Sequence, residues 1–151
     1  MSKRLTSEID VDAPPERVWE VLTAFPSYAD WNPFIVRAEG EARAGARLTL
    51  RMQPVGGRAM TLRPTVVEAV GGQRLRWLGR LGVPGLLDAE HSFRLEPRPG
   101  GRTHLVQDEV FRGVLVPLVG RSLDRGTRPA FRLMDRALKE RAEGSRTSPG
   151  A

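Results

Sequence analysis

Hydrophobic and polar positions alternate from residue 3 to residue 12: Leu5, Ser7, Ile9 and Val11 fall on one side of an extended chain, and Thr6, Glu8, Asp10 and Asp12 on the other. A period of two predicts a half-buried first strand. At Asp12-Ala13-Pro14-Pro15-Glu16 the pattern changes to a helix start. Proline is tolerated in the first turn, where its missing N–H has no intrahelical partner, and Glu16 suits the positive end of the helix dipole. Val18, Trp19, Val21, Leu22 and Phe25 then recur at helical spacing until Pro26 ends the run. Residues 26–31 predict a second short helical piece, closed by Asn32-Pro33.

From residue 34 to about 113 the pattern is that of strands bounded by glycine pairs and prolines: 35–41, 47–53, 58–70, 74–81, 88–96 and 102–112. Gly56-Gly57, Gly71-Gly72 and Gly100-Gly101 stand where hairpin turns need positive φ, so an antiparallel meander is expected. Leu48, Leu50 and Met52 share one face; so do Leu75, Trp77, Gly79 and Leu81; His91, Phe93 and Leu95; and Leu105, Gln107, Glu109 and Phe111. Arg47, Arg51, Arg74, Arg76, Arg80, Arg94 and Arg112 take the opposite parity, so the strand arginines are expected to face water. The apolar face needs a cover. Leu123, Thr127, Ala130, Phe131, Met134 and Leu138 supply one, repeating at helical spacing in an amphipathic helix expected over residues 118–143. Pro129, softened by Gly126, is expected to kink it or to start a second segment. Residues 144–151 are small and polar and predict a flexible tail, which leaves one domain over 1–143.

Composition narrows the chemistry. A chain of 151 residues has room for one core, and zero cysteines exclude disulfides, thiolate metal sites and cysteine nucleophiles. With two histidines, His91 and His104, and no clustered carboxylates, neither a metal site nor a cofactor is expected. No run of apolar residues reaches membrane-spanning length and no secretory signal is visible, which predicts a cytoplasmic protein. The net charge of +6 is carried almost wholly by arginine, scattered from Arg4 to Arg146 without a run of like charges. Scatter argues against a nucleic-acid stripe and for arginines on a solvated sheet face.

Strand, helix pair, meander and long C-terminal helix is the element order of the helix-grip fold. The sequence resembles the superfamily of START-like and pollen-allergen-like proteins, in particular the bacterial polyketide cyclase/dehydrase and lipid-transport branch, the SRPBCC proteins. The likeness is carried by Ile9-Asp10-Val11-Asp12-Ala13-Pro14-Pro15-Glu16-Arg17-Val18-Trp19, Tyr28-Ala29-Asp30-Trp31-Asn32-Pro33-Phe34, His91-Ser92-Phe93-Arg94-Leu95-Glu96 and Glu109-Val110-Phe111-Arg112-Gly113, and by the helix with Phe131, Met134 and Leu138. It implies an α+β fold in which a curved antiparallel sheet of about seven strands wraps the C-terminal helix around a cavity for a hydrophobic small molecule. It also implies that Trp31, Asn32 and Phe34 approach the cavity mouth.

Parity brings Leu50, Met52, Trp77, His91, Phe93, Gln107, Glu109, Phe111, Phe131 and Met134 to the same interior, an apolar lining with a few convergent polar groups. Met60, in the 58–70 segment, joins the candidate set. The same residues could instead fill a solid core. Across a hairpin turned at residues 98–101, His91 lies opposite Gln107 or Glu109, within reach of an imidazole–carboxylate pair. His104, of the other parity, is expected to be exposed. Three functions are compatible with this reading. The first is a binding protein for a lipid, polyketide or isoprenoid-like compound. The second is a polyketide aromatase/cyclase using Glu109 and His91 as acid and base; Tyr28 being the sole tyrosine and the arginines facing outward depart from what that chemistry favours. The third is an interaction module whose arginine face docks an acidic protein or RNA. A monomer and a homodimer are both compatible with the sequence.

Overall fold

The computed structural model describes residues 1–147. Strand β1 (Ser2–Val11) starts the chain with the expected alternation: Leu5 and Val11 are buried and Thr6, Glu8 and Asp10 are not. Helix α1 (Pro15–Thr23) has proline in its first turn and buries Val18, Val21 and Leu22. A single turn of 3-10 helix at Phe25–Ser27 and the short α2 (Tyr28–Trp31) make the second helical piece. Tyr28 is buried there and its hydroxyl donates to the Leu22 carbonyl, which fastens α2 beneath α1.

The β region forms two antiparallel sheets. The smaller holds β2 (Ile35–Glu39), β3 (Thr49–Met52) and β4 (Met60–Leu62) in that order. The larger holds β5 (Thr65–Val70), β6 (Arg74–Leu81), β7 (Leu87–Arg98) and β8 (Arg102–Arg112), with β1 added beside β8 to give the order β1-β8-β7-β6-β5. The expected 58–70 strand is therefore two strands. Pro64, buried between them, has no N–H to give a ladder and holds the preceding residue extended, so the chain changes sheet there. Hydrogen bonds from Leu48 N–H to the Pro64 carbonyl and from Val66 N–H to the Ala46 carbonyl, both 2.8 Å, join the sheets across this break.

The covering helix comes in pieces: α3 (Val116–Ser122), a π-helical turn at Leu123–Thr127, and α4 (Arg128–Thr147). Pro129 stands in the first turn of α4 and cannot donate to a carbonyl behind it, and the Arg128 N–H reaches five residues back to Leu123. The Gly126 carbonyl accepts instead from Val55 N–H of the β3–β4 loop at 3.0 Å. α4 lays Ala130, Phe131, Met134, Leu138 and Ala142 on the sheet. It runs past residue 143, where the polar tail was expected to begin, and residues 148–151 of that tail lie outside the described residues.

Three positions depart from simple parity. Leu81 is 53% exposed, because β6 ends there in the Gly82 turn beyond the covered part of the sheet. Val106 is buried on the outer face, between Glu8 and Arg94 on the flanking strands. His104 is only partly exposed, because Asp10 accepts at Nδ1 and Glu8 at Nε2, both at 2.7 Å; these two carboxylates hold its pKa above the ordinary value.

One glycine is fixed by close approach. Gly113 has φ +130°, and a Cβ there would lie 2.4 Å from the Leu86 carbonyl oxygen, a backbone atom that accepts the Leu115 N–H. Gly113→Ala is expected to lower stability by about 2–3 kcal/mol, read as a fall in the urea midpoint. An unchanged midpoint would mean that the β6–β7 loop is not held against the β8–α3 connection.

Candidate functional site

The interior between the large sheet and α4 is built from side chains of one parity. Register aligns Val66, Trp77, His91, Glu109 and Leu5 across five strands, and Leu75, Phe93, Gln107 and Ser7 in the neighbouring row. Phe131, Met134 and Asp135 descend from α4. His91 is the centre of the aromatic cluster: its ring is 4.7 Å from Phe93, stacked, and 5.1 Å from both Trp77 and Phe131. Phe34 meets Phe131 at 5.5 Å. Phe34, Leu50, Met52, Trp77, His91, Phe93, Gln107, Glu109, Phe111, Phe131 and Met134 are all buried, so the interior brings most of the expected set together.

Two expected members behave differently. Met60 is 48% exposed: it shares a face with its partner Met52, but β4 is the free edge of the small sheet and leaves it in solvent. Trp31 is half-buried, packed edge-on against Tyr28 at 5.1 Å, and anchors the corner after α2. Asn32 is buried and its Oδ1 accepts the N–H groups of Phe34 and Ile35 at 2.9 and 2.8 Å, which sets the start of β2. Its Nδ2 has no partner.

A polar chain crosses the apolar interior. Ser7 hydroxyl donates to Asp135 Oδ2; Gln107 Nε2 donates to Asp135 Oδ1 at 2.7 Å; and Gln107 Oε1 pairs with His91 Nε2 at 2.8 Å. Glu109 Oε2 stands 3.6 Å from His91 Nδ1, which has no hydrogen-bond partner. Burial pushes the Asp135 carboxyl up to about 6 against the opposing pull of the Ser7 and Gln107 hydrogen bonds. Asp135 was not among the sequence candidates. Its signal is its place four residues after Phe131 on the inward stripe, an acid between the outward Arg132 and Arg136.

Much of the outer sheet face is paired locally. On the outer face Arg76 lies between Glu90 at 2.8 Å and Glu68 at 3.5 Å, Arg112 meets Glu90 at 3.5 Å, and Glu96 receives Arg94 and Arg98. Such exposed pairs contribute ~0–1 kcal/mol each and spend most of the face's charge on neighbours. A surface depression of about 420 Å³ between β1 and α4 has Ser7 and Asp135 among its walls with Arg132 and Arg136. Among the described residues no three His, Asp or Glu side chains gather as a metal site, and no helix is long and apolar enough to cross a membrane.

An antiparallel sheet closed over a C-terminal helix, with polar groups converging among interior aromatics, defines the helix-grip class of START-like proteins. Residues 2–143 match the family described as polyketide cyclase / dehydrase and lipid transport, and the chain belongs to it. No curated protein matches in sequence. Among solved structures it is similar to the Zhui aromatase/cyclase of Streptomyces sp. R1128, with 19% identity, 100% of this chain and 99% of that one covered, and a TM-score of 0.81. It is also similar to a START superfamily protein of Mycobacterium smegmatis, at 20% identity, 93% and 97% coverage and a TM-score of 0.67. A point mutant of Thalictrum flavum norcoclaurine synthase, in complex with a transition-state analogue, aligns at 12% identity, 97% and 98% coverage and a TM-score of 0.76. At these identities the likeness establishes the fold.

Proposed function

We propose that the protein binds a hydrophobic small molecule of the lipid, polyketide or isoprenoid-like kind between the curved sheet and α4, with His91 and Glu109 meeting its polar end. The observation that carries this reading is the state of His91. It is fully buried among aromatic rings, satisfied at Nε2 and left without a partner at Nδ1. An unpaired buried polar atom costs ~1–3 kcal/mol, and a ligand group supplied there would offset it. Uptake would part Phe131 and Met134 on α4 from Trp77 and Phe93 on the sheet. Native mass spectrometry of the protein purified from its own host, followed by organic extraction, tests the reading: a stoichiometric hydrophobic adduct is expected. A bare chain that also takes up no hydrophobic fluorophore in saturable fashion would overturn it.

The nearness of Glu109 to His91, 3.6 Å apart, favours a second reading, acid–base catalysis on a polyketide-like substrate. Tyr28 is unavailable to it, its hydroxyl being buried and engaged with Leu22, and the strand arginines face outward. His91, Glu109 and Asp135 are then the groups left to move protons. On this reading Glu109→Gln lowers kcat by ~100-fold or more with substrate binding retained, and undiminished turnover would remove Glu109 from the chemistry.

A further inference from the structure

We infer that the interior selects a ligand whose polar end donates hydrogen bonds, a hydroxyl or an amine, and disfavours a carboxylate or a bare ether. The inference rests on the proposed binding site and names the head group that site would take.

The argument begins on α4. Asp135 Oδ1 and the main-chain carbonyl of Phe131 both accept, and both face one atom of Gln107, its Nε2, at 2.7 and 3.5 Å. The amide nitrogen is the half of that side chain able to donate, so two acceptors fix which way the amide points. Protonation of Asp135 on the oxygen facing Ser7 leaves this unchanged, since Oδ1 still accepts. Gln107 Oε1 therefore faces His91 Nε2, and because that oxygen can only accept, Nε2 carries the proton. With the ring neutral, its lone pair sits at Nδ1.

Nδ1 is buried without a hydrogen-bond partner, and Glu109 Oε2 stands 3.6 Å from it. That gap is longer than a hydrogen bond, so neither group satisfies the other. Two acceptors consequently converge on one place without satisfying each other. Around them stand Trp77, Phe93 and Phe131, which offer ring faces to the histidine. A hydroxyl entering this place gives its proton to one acceptor. An amine serves both, and as a cation it also gains from Glu109 and the ring faces. A carboxylate brings a third acceptor and a second negative charge, and an ether leaves Nδ1 as it was.

Calorimetric titration of the full chain with four matched probes, naphthol, naphthylmethylamine, naphthoate and methoxynaphthalene, reads the selectivity directly. The hydroxyl and amine are expected to bind at least ~10-fold more tightly than the other two, the loss expected from one unmet buried acceptor. Their order relative to each other identifies which donor the site favours. Naphthoate or methoxynaphthalene binding as tightly as the donors overturns the inference and leaves the binding site standing; failure of all four to bind overturns both. Glu109→Gln places an amide donor beside Nδ1 at similar volume, so the preference should collapse, and a preference kept in full counts against the two-acceptor site. Nitrogen NMR of isotope-labelled histidine in the unliganded wild-type protein decides the tautomer without any ligand. The inference requires the proton of His91 on Nε2, and a proton on Nδ1 overturns it.

Discussion

Replacing Phe131 by alanine is expected to lower the unfolding free energy by about 3–5 kcal/mol. Phe131 is fully buried and its ring touches both Phe34 and His91, so it joins α4, the start of β2 and the large sheet at one point. Against a total of about 5–15 kcal/mol for an ordinary domain, the variant should stand near the edge of folding at room temperature. Its backbone carbonyl still receives Gln107, so the loss measures ring packing and leaves the polar chain in place. Phe131→Leu keeps most of the volume and should cost less than about 1.5 kcal/mol. Urea unfolding of both variants with an unchanged denaturant slope checks this. A loss below about 1 kcal/mol for the alanine variant would mean that the ring borders open space in solution.

Asp135 should give the protein an unusual acid limb. Its carboxyl titrates near 6 in the folded chain against an ordinary value of 3.8, because burial disfavours the charged form. The folded state therefore holds this proton more tightly than the unfolded state. The group's contribution to stability is fully present below pH ~4, falls as pH rises towards ~6, and is absent above that, a change of about 3 kcal/mol. Exposed carboxylates such as Asp10, Glu96 and Asp124, whose pKa values are lowered by His104, Arg94 and Lys3, act in the opposite sense. The measurement is thus a difference: unfolding free energy of the wild type minus that of Asp135→Asn, across pH ~4 to 7.5. It should fall with pH by roughly the amount given. A flat difference would show that Asp135 is not desolvated as its position implies.

Much of this arrangement could be read from local pattern. Alternation alone placed Trp77, His91, Phe93, Gln107, Glu109 and Phe111 inside, because a strand presents its side chains with a period of two and one face had to be covered. The turn glycines Gly72, Gly100 and Gly101 have the positive φ their places imply. What escaped were features set by distant partners. Asp135 lies on the inward stripe of α4, but its partners Ser7 and Gln107 come from the first and last strands, which parity does not bring to it. His104 is shielded by two carboxylates of β1 that parity alone assigns to open solvent. Met60 shares its face with buried Met52, yet edge position decides its exposure. The break at Pro64 was visible as a residue but not as a change of sheet, because a proline limits the ladder without saying which strand comes next.

The π turn at Leu123–Thr127 also sets the angular phase of everything after it. Each residue advances a helix by about 100°, so a chain shorter by one residue in that turn, with α3 still seated on β1, would rotate α4 by that amount about its own axis. Phe131, Met134, Asp135 and Leu138 would swing away from the sheet together, and the arginine side would turn towards it. The five residues of the turn thus act as a dial for the interior. A single deletion there would exchange what faces the sheet without altering any residue of α4.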